Sequence, residues 1–329
     1  LFLQGGLVLH LLFCREHRRR LATPWPWAAL AVAQLVALPV YLWNARHGWA
    51  SLRYQLMGRA AESRFDPGDL LGFLASQAVI LLPVAFGAFA WAAGREVVRL
   101  ARERSLPPRA SFLVSFSVPL AATCLALSVV TWVKSNWPMP AYVTGLVLAA
   151  GVAGRRAVRW HVATGAALLA VAAVQLVGYP VPVRSHDTWF GWREVAAGAE
   201  ELAARHPDAF LFAADGYKTT AELRFHTDLP VRGMDVLGWD ALHYGFVDPD
   251  PAALAGRGAL YLRNEPELRP GEETECFLER VRGHFRSVEE LAPIEVRRRG
   301  EVVRLVRVFR CEGYLGPEPP GIERLPDVC

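Results

Sequence analysis

Charge is what long stretches of this chain lack. Residues 27–45, 70–94, 110–133 and 135–154 contain no Asp, Glu, Lys or Arg, and 160–183 holds only His161. A soluble domain has no need of uncharged runs beyond about 18 residues, whereas a helix of about 20 residues spans the roughly 30 Å of a bilayer's hydrocarbon. These absences exclude a wholly soluble protein and imply membrane helices. Cysteine is scarce, five in 329 residues, and no CxxC or HxxxH spacing suggests a structural zinc. Neither GxGxxG nor GxxxxGK followed by Ser or Thr occurs, so neither common phosphate loop is present. No cofactor is identified, and a need for a divalent metal is not readable from these residues. No basic stripe interleaved with aromatics stands out, so the net charge of +4 does not point to nucleic acid.

What is present divides the chain in two. Residues 1–183 read as a membrane α-helical bundle of about five complete spans plus a truncated one. Residues 184–329 read as a small soluble α/β domain, because charged residues become frequent and short helical and strand-like patterns alternate. The patterns predict helices over 191–205, 217–227 and 273–285, and strands over 209–215 and 258–264. A hairpin over 294–311 is expected to turn at Arg299-Gly300. Cys276 and Cys311 form the favoured disulfide, with two free thiols as the alternative. Asp215, Lys218 and Glu222 are the domain's most reactive-looking group. A helix cap by Asp215 and a Glu222–Lys218 pair account for them at lower cost. The opening run LFLQGGLVLHLLFC precedes Arg15, Arg18, Arg19 and Arg20, the reverse of a secretory leader. It is read as the end of a membrane helix of a longer protein.

The loops alternate in basic charge. Residues 15–20, 95–109 and 155–159 hold twelve arginines, against Arg46, Arg53, Arg59, Arg64 and Lys134 in the loops between. Under the positive-inside rule the first set faces the cytoplasm. The 46–69 loop, the Lys134 turn and the C-terminal domain then face the opposite side.

That turn reads TWVKSNWPMPAYVT over 131–144. Of 36 basic residues only Lys134 and Lys218 are lysine. Lysine where this chain otherwise uses arginine suggests a compact charge with rotatable donors, suited to a phosphate at the membrane surface. Snorkelling at a helix end is the simpler alternative. Asn136 and Trp137 flank the lysine, and Pro138 and Pro140 are expected to interrupt the following helix. On the same side, PVYLWNARHGWASLRYQLMGR at 39–59 supplies Asn44, Arg46, Trp49, Tyr54, Gln55 and Arg59. Its amides, guanidinium groups and aromatic faces suit a sugar phosphate, with an interfacial aromatic belt as the alternative.

The run VKSNWPMPAYV, preceded by P-x-x-x-W-N-x-x-x-G-W-x-S-x-x-x-Q at 39–55, resembles the bacterial branch of glycosyltransferase family 39. That branch is related to protein O-mannosyltransferases and to the aminoarabinose transferase acting on lipid A. The stretch GWREVAAGAEELAARHPDAFLFAADGYKTTAELRFH is similar to the outer domain of these members. The resemblance implies a GT-C fold in a bacterial inner membrane, with a multi-pass chain whose C-terminal domain is extracytoplasmic. It implies transfer of a sugar from a polyprenyl-phosphate donor to a lipid, glycan or protein acceptor at the outer face. Lys134, Asn136, Trp137, Asn44 and Trp49 sit on family-like positions. By residue chemistry, and not from the resemblance, Lys134, Arg46 and Arg59 are expected to bind the donor phosphate, and Asn44, Trp49, Tyr54, Gln55, Asn136 and Trp137 the sugar. The family's catalytic acid lies in a first outer loop with no counterpart in this sequence, so this stretch alone is expected to be inactive. A transporter or flippase of an anionic or lipid-linked substrate is the alternative, and an anchor for an outer receptor domain a third.

Overall fold

The computed structural model describes residues 2–54, 65–181, 190–215, 217–265 and 272–319. It divides into two compact units, Leu1–Ala170 and Val171–Cys329. The expected boundary at 183/184 falls within residues 182–189, outside the described residues.

The first unit is helical: α1 (Phe2–Phe13), α2 (Pro24–Arg46), α3 (Pro67–Ile80), α4 (Leu82–Glu103), α5 (Pro108–Leu127) and α6 (Met139–Ala150), with α7 (Arg155–Gly178) running on into the second unit. Of these, α2, α5 and α7 are each long and apolar enough to cross a membrane, and α3 with α4 makes a fourth span if the bent pair is counted as one. Five complete spans were expected, and two of the uncharged runs depart from that. The run 135–154 forms only the 12-residue α6, about 18 Å of helix. The run 70–94 breaks at Leu81 with a bend of 110°. Pro83 lacks an N–H and crowds the residue before it, and Leu82 takes a positive φ of 58°.

Small residues let these helices approach closely. A Cβ on Gly6 of α1 would stand 2.9 Å from the Phe116 ring of α5, and one on Gly145 of α6 would stand 2.8 Å from Phe89 of α4. That backbone proximity is how membrane helices gain packing without a hydrophobic drive between them. By contrast, none of the apolar window of α7 is buried and only 6% of that of α2.

The second unit contains α8 (Trp192–Arg205), β1 (Phe210–Phe212), α9 (Lys218–His226), β2 (Ala259–Glu265), α10 (Glu272–His284), β3 (Phe285–Arg298) and β4 (Glu301–Tyr314). The sheet order is β1-β2-β4-β3, with β1 parallel to β2 and the other pairs antiparallel. Every residue of β2 is buried, and its alternation feeds two cores. Leu260 and Leu262 pack with Trp192, Val195 and Ala199 of α8 and Leu223 of α9. Ala259 and Tyr261 pack with Phe277, Leu278 and Val281 of α10. The sheet is therefore covered on both faces, a layered α/β arrangement.

The hairpin turns where expected. Arg299 and Gly300 have φ of 52° and 86°, both positive as a two-residue type I′ turn requires, and Arg298 pairs with Glu301. The first hairpin strand starts at Phe285, directly after α10, and not at 294. The expected Cys276–Cys311 disulfide does not form. Cys311 is a buried free thiol on β4, and Cys276 is disulfide-bonded. Cys14 and Cys124 are buried and free.

Candidate functional site

Lys134, Ser135 and Asn136 are exposed on the turn between α5 and α6, while Val133 and Pro138 are buried on either side. Val133 packs with Phe73 and Cys124, and Trp137 lies against the same cluster. Within the turn the Trp137 N–H donates to the Lys134 carbonyl at 3.1 Å, and the Met139 N–H to the Asn136 carbonyl at 3.2 Å. The polar tip is thus held by apolar anchors at both ends. Pro138 and Pro140 do not interrupt a helix. Pro138 is the N-cap of α6 and Pro140 lies in its first turn, where a missing N–H costs nothing and a fixed φ favours initiation.

A further anchor comes from α3. Gln77 is 2% exposed. Its Nε2 donates to the Ser135 carbonyl at 3.1 Å, and its Oε1 accepts from the Tyr142 hydroxyl at 2.6 Å. A carboxamide is suited to this, because it donates and accepts at once. Gln77 thereby ties the residue next to Lys134 to both α3 and α6. The sequence reading passed over Gln77. Its signal was a lone amide inside the uncharged run 70–94, since polar side chains at membrane depth face the protein interior. Beside the turn, Phe73, Gln77, Phe89, Pro138 and Tyr142 line part of a 270 Å³ cavity whose walls are almost wholly apolar.

The second segment is shaped by Asn44, which is buried at the end of α2. Its Nδ2 donates to the Val40 carbonyl at 3.0 Å, and its Oδ1 accepts from the Ser51 N–H at 3.1 Å. The Trp49 N–H donates to the Asn44 carbonyl at 2.7 Å. The amide is engaged in closing this turn. Gly48 and Trp49 both take left-handed conformations, φ 61° and 59°. That costs little for glycine, but a bulky residue is rarely held there without a surrounding constraint. The turn leaves Trp49 and Tyr54 about half-exposed and Arg46 exposed, with His47 stacked on Trp43 at 4.2 Å between centroids. Gln55 and Arg59 lie outside the described residues.

In the sheet unit, Asp215 follows β1. Its carboxylate accepts from the Thr219 hydroxyl and from the Thr219 backbone N–H, while burial pushes its pKa up from the ordinary value. It caps α9 from two residues before the formal N-cap, Tyr217. Glu222 faces His226 at 3.8 Å, one turn further on. Among the described residues no three His, Cys, Asp or Glu side chains lie together as metal ligands.

Comparison with known proteins adds one relative. Over 122 residues the chain is 34% identical to lipid A galacturonosyltransferase RgtD of Rhizobium johnstonii. The match takes in 37% of this chain and 25% of the relative, so the chain spans only a quarter of that protein's length. No family model matches, and no solved structure gives a significant match.

Proposed function

We propose that this chain is part of an integral membrane glycosyltransferase of the GT-C superfamily. It transfers a sugar from a polyprenyl-phosphate donor to a lipid acceptor at the outer membrane face, with glycan and protein as the other acceptor classes. The observation that carries this reading is the Lys134 turn. One exposed lysine stands on a turn anchored by Gln77 and by apolar packing, beside an apolar cavity, the pairing that an isoprenoid phosphate presents in reverse. The similarity to a lipid A glycosyltransferase supports the same class of chemistry. Within the GT-C superfamily we assign the chain to family 39.

In this mechanism Lys134, with Arg46 and Arg59, neutralises the donor phosphate as the sugar departs, an electrostatic role that needs donors fixed in advance. Trp49, Tyr54, Gln55, Asn136 and Trp137 orient the sugar, and Asn44 acts by holding the turn that presents Trp49. The base that deprotonates the acceptor is assigned to no residue of this chain.

The test is Lys134→Ala in the full-length protein, assayed for transfer from a polyprenyl-phosphate sugar in membranes. Turnover is expected to fall about 100-fold or more, the scale of losing one transition-state donor. Lys134→Arg should recover only part of it, since a planar fork replaces a point charge. Undiminished transfer by Lys134→Ala would remove the lysine from the mechanism. The broken α3–α4 pair is a feature shared with transporters. Unmodified substrate accumulating in proteoliposomes would select that reading.

A further inference from the structure

The sheet unit contains a cleft of 620 Å³ that the membrane chemistry does not use. It lies beside β1, between the end of α8 and the segments around 229–232 and 248–257, and its size falls in the usual range for small-molecule sites, about 300–1,000 Å³. Phe210, Leu229 and Leu254 supply apolar wall, and Arg224, Arg232, Arg257 and Asp248 supply polar groups.

Two of these arginines are fixed in advance. Arg224 donates from Nε to the Val231 carbonyl and from an Nη to Asp248, each at 2.6 Å. Arg232, with a side chain only 8% exposed, reaches Asp235 and the Pro249 carbonyl, each at 2.6 Å. Its buried Nε hydrogen-bonds nothing among the described residues. A structural role in tying 231–232 to 248–249 accounts for those bonds. It accounts neither for the open volume nor for Arg257. That guanidinium is exposed, meets the Asp208 carbonyl at a stretched 3.4 Å and lies 6.0 Å from the Phe210 ring centroid.

Arg232 and Arg224 are matched by Asp235 and Asp248, so the charge that can draw an anion is that of Arg257. Asp248 is already neutralised by Arg224, with Arg232 Nε 3.8 Å away, and the other acid of the lining, Glu200, lies on the exposed side of α8. The exposed Arg257 guanidinium can offer its remaining donors to a ligand. Planar guanidinium forks suit the paired oxygens of phosphate and carboxylate, while the apolar wall and the volume fit a pyranose ring and not a bare ion. We infer that this cleft is a binding site for an anionic saccharide, a sugar unit bearing a phosphate or a carboxylate.

The experiment is calorimetric titration of the whole chain in detergent with glucose 1-phosphate, glucuronate, glucose and inorganic phosphate. At least one anionic sugar should bind saturably and more tightly than glucose or inorganic phosphate, and the two anionic sugars separate phosphate from carboxylate recognition. Arg257→Ala, at an exposed position, should weaken binding about tenfold, which corresponds to about 1.4 kcal/mol. Ala204→Trp, introduced from an exposed position lining the cleft, should abolish it with an unchanged melting temperature. Three results would overturn the inference: no saturable binding of either anionic sugar, equal binding of glucose, or unaltered binding by both variants. The readout does not involve transfer, so its failure and that of the Lys134 mechanism are separable.

Discussion

The two units solve the burial of polar groups in opposite ways. In the helical unit the buried polar side chains are mostly uncharged, Glu96 apart: Gln77 joins Ser135 to Tyr142, and Asn44 closes the turn after α2. The sheet unit tolerates buried guanidinium groups, Arg232, Arg263, Arg280, Arg304 and Arg307 among them. Several lie against aromatic rings, as Arg304 does over Trp192 at 4.0 Å. Burial lowers the Arg304 pKa to about 10. The difference follows from the medium. Beside lipid an unmatched polar group has no water to fall back on, whereas a water-facing domain can hold guanidinium stems in apolar surroundings and pair their heads with acids.

The contrast breaks most visibly in the cores. Trp192→Ala should destabilise the sheet unit by about 3–5 kcal/mol, the range for emptying a large aromatic site. It removes a side chain 2% exposed that also stacks under Arg304. Leu169→Ala on α7, where the leucine is 72% exposed, should change stability by less than about 0.5 kcal/mol. Thermal melting of both variants in detergent checks the pair, and equal shifts would dissolve the comparison.

Gln77→Leu should come next, at about 1–3 kcal/mol, because it strands the Ser135 carbonyl and the Tyr142 hydroxyl. Hydrogen exchange over 131–139 should quicken about tenfold while exchange in β2 stays the same. A uniform change would show a general loss of packing in place of a released turn.

The next effect depends on pH. His284 is fully buried, with Nδ1 2.8 Å from the Arg280 carbonyl and Nε2 3.2 Å from that of Pro317, and burial lowers its pKa below 6.5. The unfolded chain then takes up a proton before the folded one does. Stability from this group is complete above 6.5 and declines as pH falls from there toward the folded value. His284→Gln should flatten that part of the melting-temperature profile.

The smallest effect concerns Cys311, whose burial pushes its pKa up to about 12. A thiol held protonated and inaccessible does not alkylate. Iodoacetamide at pH 8 should leave it unmodified until the sheet unit unfolds, and rapid labelling of the native protein would contradict the closed core.

Much of the sheet unit was legible because its signals are local. Period-2 and helical alternation, together with Arg299-Gly300, are statements about neighbours a few residues apart. The Cys276–Cys311 pairing was misread because disulfide geometry depends on distant segments. Cys311 points into the core with Tyr261 and Phe309, on a strand whose place no spacing rule reveals. In the candidate site, the exposed lysine and the flanking aromatics could be picked out by residue type. The partners that hold them could not.

Composition by itself pointed to apolar membrane-length helices and to a second, charge-rich unit, since transfer free energy is nearly additive along a run of residues. Only the tertiary structure decided that two apolar runs do not form straight spans, that the prolines start α6, and that Gln77 holds the Lys134 turn. Those outcomes rest on hydrogen bonds and close contacts between helices far apart in sequence, where donor and acceptor must meet within about 3 Å.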